Sequence, residues 1–285
     1  MIARATASIV MATAMAIAPP DQGGPQQLPG SVSIFVDGPA SATAADYLLT
    51  VDDVPVPIGS VTRGPQPLSA VVLYDLSASM GRAPRADGRR LVGFARPGDT
   101  LRLATFADRI LVGTIPVTDR TSSDQAAREV VQPAGASPLW DAIYDSAAGV
   151  REGPGLRAVV VFSDGMSTGS DRGSEEVRDL IAPSGVVVCV VGVGDNALRV
   201  SQSMEIIGRN DALQALARDS GGDYREIGQT AGDPGFIIRD LLDRLRDRVR
   251  LDFTPFLRDG EVHRIMLTRG GRTVAAPARV RFPER

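Results

Sequence analysis

Two apolar stretches of the sequence each end on an aspartate. VVLYDLSASMGR at 71–82 reaches Asp75, and Ser77 and Ser79 follow it at alternate positions; RAVVVFSDG at 157–165 reaches Asp164. Alternate side chains of an extended segment point in one direction, so we expect one carboxylate and two hydroxyls to face the same way. These residue types are compatible with a nucleophile, a set of metal ligands or a turn.

The elements that position these residues alternate along the chain from Ser69 onward. SAVVLYD, RAVVVFSDG and VVVCVVGVG are apolar runs typical of buried strands, and segments with helical periodicity separate them. This pattern predicts an α/β fold with a doubly wound, mainly parallel, Rossmann-like sheet, flanked by N- and C-terminal β segments. Ligands of such sheets bind beyond the carboxyl ends of the strands, where Asp75 and Asp164 are both predicted to lie.

A third hydroxyl, Ser137, precedes the helix predicted to begin with PLWDAI. Each feature also has a purely structural interpretation. Ser137 followed by Pro138 is a good helix N-cap, Asp164-Gly165 is a turn pair, and the 75–79 segment could cap the helix that follows it. Taken together, two carboxylates and three hydroxyls at one crevice, without histidine or cysteine, suit a hard cation such as Mg²⁺.

The sequence lacks residues that a hydrolase, a phosphotransferase or a dinucleotide-binding protein would need. The single histidine, His263, lies far along the chain from Asp75, which disfavours a Ser-His-Asp hydrolase. An Asp75-dependent phosphotransferase would be expected to have a second acid where Ser77 stands, and the chain contains no lysine to neutralise a phosphate. GVGDNA at 192–197 fits a dinucleotide fingerprint, but polar NALRVSQSME follows it, so we interpret it as a glycine-containing strand exit.

Composition and the chain ends add further expectations. The formal net charge is −3, so nothing indicates a nucleic-acid partner, and the single cysteine excludes a disulfide framework within the chain. Residues 1–18 combine Arg4 with a short apolar run and an A-x-A site at Ala14 and Ala16, which predicts a cleavable signal peptide and a secreted or periplasmic protein. No other segment approaches the length of a membrane span, so we expect no integral membrane segment after cleavage.

The predicted domain organisation has five parts. Residues 19–30 form a Pro/Gly/Gln linker, 31–66 an N-terminal β segment, 67–249 the α/β domain and 250–285 a three-stranded meander. A long amphipathic helix is predicted over 233–249. Its apolar stripe comprises Ile238, Leu241, Leu242, Leu245 and Val249, and its solvated face comprises Arg239, Asp240, Asp243, Arg244, Arg246 and Asp247.

The D-x-S-x-S pattern after a buried strand resembles the metal-ion-dependent adhesion site of von Willebrand factor A (VWA) domains. Asp75, Ser77 and Ser79 match its first loop, Ser137 in GASPLWDAI takes the place of its threonine, and Asp164 in FSDG takes the place of its second aspartate. Serine retains the oxygen of threonine but lacks the methyl group that restricts the rotamer. The resemblance covers about residues 31–285 and extends to bacterial secreted VWA-related proteins.

This resemblance implies a sheet with one antiparallel edge strand, which we expect at RILVGTI. It further implies that the five residues hold Mg²⁺ or Mn²⁺ and that the protein is a non-enzymatic binding or adhesion module. The ion would engage an exposed Asp or Glu of a partner protein. The open alternatives are a structural VWA domain with a vestigial metal site and a hydrolase or phosphotransferase that uses Asp75.

Overall fold

The computed structural model describes residues 30–80, 88–128, 135–194, 204–228 and 235–284. The predicted signal peptide (1–18), nearly all of the predicted linker (19–30) and the second half of GVGDNA lie outside these residues. The strands are β1 Val32–Val36, β2 Tyr47–Val51, β3 Val54–Val56, β4 Ile58–Thr62, β5 Leu68–Asp75, β6 Thr100–Phe106, β7 Ile110–Val112, β8 Leu156–Ser163, β9 Val186–Val193, β10 Tyr224–Ile227, β11 Val249–Phe253, β12 Val262–Arg269, β13 Arg272–Thr273 and β14 Arg279–Arg281. The helices are α1 Gly88–Leu91, α2 Arg120–Ala126, α3 Leu139–Val150, α4 Ser174–Ile181, α5 Met204–Asp219 and α6 Gly235–Arg246.

The central sheet has the strand order β10-β9-β8-β5-β6-β7. All neighbouring pairs are parallel except β6 with β7, so the predicted α/β class and the antiparallel edge strand are both confirmed. Every residue of β5 is buried: Val72 and Tyr74 pack on the face covered by α6, and Val71 and Leu73 on the face covered by α3 and α5. Burial on both faces explains why β5 is a continuous apolar run.

The two flanking β segments pair with each other. In antiparallel arrangement β11 lies between β1 and β4, and β12 pairs with β2, β13 and β14. The predicted meander of three consecutive strands is therefore wrong, because β11 pairs with N-terminal strands and not with β12. This pairing lets Leu251 and Phe253 enter one core with Ile34 and Val36, which a local meander could not provide.

The last helix is shorter than predicted and differs on one face. Ile238, Leu241, Leu242 and Leu245 are buried as expected, but Val249 is the first residue of β11 and not part of the helix. Arg246, predicted on the solvated face, is 1% exposed. Its guanidinium donates to Asp99 Oδ2 at 2.6 Å, Asp243 Oδ1 at 2.6 Å and the Phe94 carbonyl at 2.6 Å, and these bonds compensate its burial.

His263 lies in β12, within the flanking sheets. Its ring stacks on Phe282 at 4.0 Å, Nδ1 lies 2.7 Å from Asp52 Oδ2, and Nε2 lies 3.2 Å from Asp259 Oδ1. Burial opposes protonation, but the hydrogen bonds and charges of the two carboxylates outweigh it and raise the pKa of His263. His263 therefore joins the turn after β2 to the segment before β12.

The stability of the flanking sheets should depend on pH through His263. Because the pKa of this group is higher in the folded protein, its contribution is fully present below its ordinary pKa of about 6.5 and is lost as pH rises through the raised value. We expect His263→Asn to lower the melting temperature more at pH 5.5 than at pH 8.5. The control Asp53→Asn removes an exposed carboxylate that pairs with Arg264 and not with His263. Equal destabilisation by His263→Asn at both pH values would show that the folded protein does not favour the protonated ring.

Candidate metal centre

Asp75 is the last residue of β5 and is 2% exposed. One carboxylate oxygen, Oδ1, accepts the backbone N–H of Ser77 at 2.9 Å. The other, Oδ2, accepts the hydroxyl of Ser163 at 2.6 Å and is approached by the hydroxyl of Ser137 at 3.5 Å. Three separate chain segments therefore meet at one buried carboxylate, at the edge of the sheet where ligands of α/β proteins bind.

Ser77 and Ser79 bring two hydroxyls together beside Asp75. Their Oγ atoms are 3.0 Å apart; Ser77 is buried and Ser79 is half-buried. The segment is not extended as predicted: Ala78–Met80 forms a turn of 3₁₀ helix, with the Met80 N–H donating to the Ser77 carbonyl at 3.2 Å. The hydroxyls still converge because the tight turn brings Ser79 back towards Ser77.

Ser137 is buried, and its side chain does not cap α3. Pro138 occupies the N-cap position without a side-chain hydrogen bond, and the Ser137 hydroxyl donates instead to the Met166 carbonyl at 2.6 Å. Backbone hydrogen bonds of 3.1 and 2.7 Å pair Ser137 with Thr168, and the Thr168 hydroxyl accepts the Ser137 N–H at 3.0 Å. The N-cap interpretation of Ser137 is therefore wrong, and its hydroxyl is held between the loop after β8 and Asp75.

Asp164 follows β8 directly and is partly exposed. Its Oδ1 accepts the Met166 N–H at 2.9 Å, and Gly165 has a φ of +78°, which favours glycine, so the predicted Asp-Gly turn is present. Its negative charge contributes to the raised pKa of Asp75, after the larger effect of burial. The structure thus joins Asp75, Ser77, Ser79 and Ser137 through hydrogen bonds and their backbone, and relates Asp164 to them through charge.

Two residues of the site were not identified from the sequence. Ser163 donates to Asp75 and accepts the Gly165 N–H at 3.0 Å, so it links the ends of β5 and β8. Asp141 in α3 anchors the loop after β8 by accepting the N–H of Asp171 at 2.6 Å and the Arg172 guanidinium at 2.8 Å. The available signals were a serine that ends an apolar run and an acid in the first turn of a helix.

The carboxylate of Asp75 is electrostatically unfavourable in its own surroundings. Burial raises its pKa to about 6, in opposition to the hydrogen bonds from Ser163 and Ser77, and the charge of Asp164 adds to the rise. No ion pair within the described residues includes Asp75. A nearby cation would stabilise its charged form.

The oxygen donors present fit a hard divalent cation. Within the described ranges, no three His, Cys, Asp or Glu side chains gather into a metal-binding cluster. The further oxygen donors close to Asp75 are the hydroxyls of the serines. Carboxylate and hydroxyl oxygens without nitrogen or sulfur ligands suit Mg²⁺ or Mn²⁺. Asp75, Ser77, Ser79, Ser137 and Asp164 are the side chains that could hold such an ion, either directly or through water.

The unfavourable charge of Asp75 predicts a pH-dependent gain on its removal. A raised folded-state pKa means that this group's contribution is fully present below pH 3.8 and is lost as pH rises through about 6. In EDTA, Asp75→Asn should therefore increase the free energy of unfolding relative to wild type more at pH 7.5 than at pH 4.5, by up to about 2 kcal/mol. Chemical denaturation measures this difference, and a gain independent of pH would contradict it.

Ser163→Ala is the matched variant for this measurement. It removes a hydrogen bond that favours the charged carboxylate, so the pKa of Asp75 should rise further. The pH at which the difference between wild type and Asp75→Asn stops growing should then move upward in the Ser163→Ala background. An unchanged transition would show that Ser163 does not act on this group.

No protein-family model matches the sequence, and no curated protein matches it. Solved structures similar to this chain include VWA domains. One, from Catenulispora acidiphila, is 10% identical with a TM-score of 0.48 and covers 92% of this chain and 76% of that one.

Two further structures are similar at comparable levels. The VWF domain of the pilus tip protein Mfa5 from Porphyromonas gingivalis is 11% identical, with a TM-score of 0.45 over 64% of this chain and 95% of that one. A proximal thread matrix protein from the mussel byssus, described with a zinc-occupied adhesion-site motif, is 16% identical, with a TM-score of 0.44 over 74% of this chain and half of that one. At these identities the likeness concerns the arrangement of the chain, and the assignment of the site depends on its own geometry.

Proposed function

We propose that this protein is a VWA-type, divalent-metal-dependent binding module. Its metal site comprises Asp75, Ser77, Ser79, Ser137 and Asp164 and takes Mg²⁺ or Mn²⁺, with water completing the coordination. One observation carries the proposal: Asp75 is a buried carboxylate without an ion-pair partner in the described parts of the chain, and hydroxyl groups from three segments surround it. A cation at this position compensates a charge that the protein otherwise leaves uncompensated.

The surrounding residues have separable tasks. Asp75 and Asp164 supply negative charge, whereas Ser77, Ser79 and Ser137 supply neutral oxygens. The N–H of Ser77 and the hydroxyl of Ser163 orient the two carboxylate oxygens of Asp75. Further out, Thr168 and Asp141 hold the loop after β8 against α3, and so keep Ser137 and Asp164 beside the first loop.

The ligand class follows from coordination chemistry. When bound, Mg²⁺ supplies a coordination position, filled by water, that a carboxylate oxygen can occupy instead. We therefore propose that the partner is a protein with an exposed Asp or Glu that reaches the edge formed by the 75–80 segment and the 164–172 loop. The predicted signal peptide would place this binding outside the cytoplasm. No helix among the described residues has the length and apolarity needed to cross a membrane.

We propose no catalysis at this site. Activation of a metal-bound water needs a base within hydrogen-bond reach, and His263 is held by Asp52 and Asp259 in the flanking sheets. A vestigial site is favoured by a different observation. The Ser137 hydroxyl already donates to the Met166 carbonyl, and Ser77 and Ser79 already bond to each other, so these groups are satisfied without an ion.

Metal titration by calorimetry distinguishes a site that binds metal from a vestigial site. We expect Mg²⁺ or Mn²⁺ to bind the wild-type protein and Asp75→Ala to abolish detectable binding, because it removes a charged oxygen from the centre of the site. Ser137→Ala should weaken binding by about tenfold, since water can replace one neutral hydroxyl. The control Asp179→Ala, on the exposed face of α4, should bind as wild type does. Failure of the wild-type protein to bind either ion at millimolar concentration would establish a vestigial site.

Partner binding should require the ion together with the carboxylate of the partner. A pull-down from envelope extract with Mg²⁺ and with EDTA identifies candidates, and surface plasmon resonance then measures each one in both buffers. We expect EDTA, Asp75→Ala and the change of the partner's contact Asp or Glu to its amide each to abolish binding. Undiminished binding in EDTA would replace the metal bridge by an ordinary surface contact.

A further inference from the structure

A cavity of about 500 Å³ lies at the opposite edge of the central sheet from Asp75. The loop before β8 forms one side, and strands β1, β11 and β14 of the flanking sheets form the other. Because β5 and β8 are parallel, the start of β8 and the end of β5 lie at opposite ends of the sheet. The cavity is therefore separate from the candidate metal centre.

Positive charge is concentrated in this cavity. Arg151, Arg157, Arg250 and Arg281 line it, and Glu152 is the one carboxylate among its lining residues. The whole chain, by contrast, has a formal net charge of −3. The positive charge of these four guanidinium groups can be compensated either by acceptors within the protein or by an anionic ligand.

Internal partners account for two of these arginines. The Nε of Arg250 donates to Asp252 Oδ1 at 2.8 Å, and the Nη1 of Arg281 donates to the Gly260 carbonyl at 2.7 Å. Arg157 uses one N–H, from Nη1 to the Arg151 carbonyl at 2.8 Å. The guanidinium of Arg151 has no hydrogen bond or ion pair with the described residues.

Helix capping does not explain the two remaining guanidinium groups. Arg151 is the C-cap residue of α3, and the side chain of Arg157 in β8 reaches the same end of the helix, where cations favourably meet free carbonyl groups. Those carbonyls already have donors: Gly149 accepts from Arg102, Val150 from the Gly153 N–H and Arg151 from Arg157. Only one N–H of Arg157 therefore caps the helix, by donating to the Arg151 carbonyl. The guanidinium of Arg151 takes no part in capping.

Arg157 is held in place with its charge poorly compensated. A Cβ on Gly185, which has a φ of +73°, would lie 2.7 Å from its Nη2, so the guanidinium packs directly against this bare glycine. Burial lowers the pKa of Arg157, the charge of Glu152 opposes that effect, and the charge of Arg151 lowers it further. An anion between Arg151 and Arg157 would relieve both the burial of charge and the mutual repulsion.

We propose that this cavity binds a tetrahedral oxyanion, phosphate or sulfate, with Arg151 and Arg157 as its principal donors. The planar fork of arginine matches two oxygens of such a group. The volume exceeds the need of an inorganic ion and falls in the range of small-molecule sites, so the oxyanion is either free or part of a phosphorylated or sulfated small molecule. Bound there, it would bridge the α/β domain and the flanking sheets.

The test measures binding of inorganic phosphate, sulfate, glucose 6-phosphate and unphosphorylated glucose by calorimetry and by thermal shift. All samples contain EDTA and are brought to equal ionic strength with sodium chloride, so that neither divalent ions nor screening produces the signal. We expect phosphate or sulfate to bind and to raise the melting temperature, and glucose to have no effect. Tighter binding of glucose 6-phosphate would identify an organic oxyanion as the ligand, and equal binding would identify the free ion.

Three variants locate the site. Arg151→Gln and Arg157→Gln should each weaken oxyanion binding at least tenfold. Arg264→Gln removes the same charge from an exposed position paired with Asp53 and should have no effect. Arg151 is exposed, so Arg151→Gln decides the matter even where Arg157→Gln fails to fold. Phosphate binding no tighter than that of chloride, or an equal loss in Arg151→Gln and Arg264→Gln, would overturn the proposal.

Discussion

The burial of one carboxylate, that of Asp75, is the constraint on which the arrangement of the carboxyl edge of the central sheet depends. A buried charge must be paired, hydrogen-bonded or neutralised by protonation. Here the response is a set of hydrogen bonds that draws together the end of β5, the end of β8 and the segment before α3. The Ser163 hydroxyl serves the carboxylate as a donor, and the hydroxyls of Ser77, Ser79 and Ser137 gather at the same edge, where their oxygens suit a hard cation.

The loop after β8 shows how this arrangement is maintained at a distance from the carboxylate. Thr168 pairs with Ser137 through the backbone, and Asp141 accepts N–H groups from Asp171 and Arg172. Burial opposes ionisation of Asp141, but these donors outweigh it and lower its pKa. The guanidinium of Arg172 also lies over the ring of Tyr144 at 4.2 Å. A loop that carries Asp164 is thus fixed to α3 by charged contacts, which keep it beside the 75–80 segment.

The flanking strands give the two edges of the central sheet different surroundings. At the carboxyl edge, oxygens gather around Asp75. The negative charge of its buried carboxylate is unfavourable there, and the charge of Asp164 adds to the effect. At the amino edge, the flanking strands β1, β11 and β14 meet the loop before β8, and arginines gather around a cavity. Each edge concentrates one sign of charge that the chain itself does not fully compensate. The two proposed ligands, a divalent cation and an oxyanion, are the opposite counterparts of these charges.

Local sequence was sufficient for the features that depend on neighbouring residues. The buried strands and the apolar stripe of α6 from Ile238 to Leu245 follow from hydrophobic periodicity, which acts within one element. The antiparallel edge strand was expected from the resemblance to VWA domains and not from periodicity. The carboxylates at the ends of β5 and β8 could be placed at one edge because parallel strands share their direction. Asp75 and Asp164 were predictable as neighbours for that reason.

Only the tertiary structure decided the features that depend on long-range contacts. No local pattern shows that β11 pairs with β1 and β4, because antiparallel pairing depends on which apolar faces meet across two hundred residues of chain. Burial of Arg246 likewise depends on Asp99, a residue distant in sequence. The role of Ser137 was ambiguous between helix cap and site residue, and the position of Met166 and Asp75 resolved it. Sequence determined which side chains this protein could use, and packing determined where they were brought together, because contacts between distant segments form only when the whole core closes.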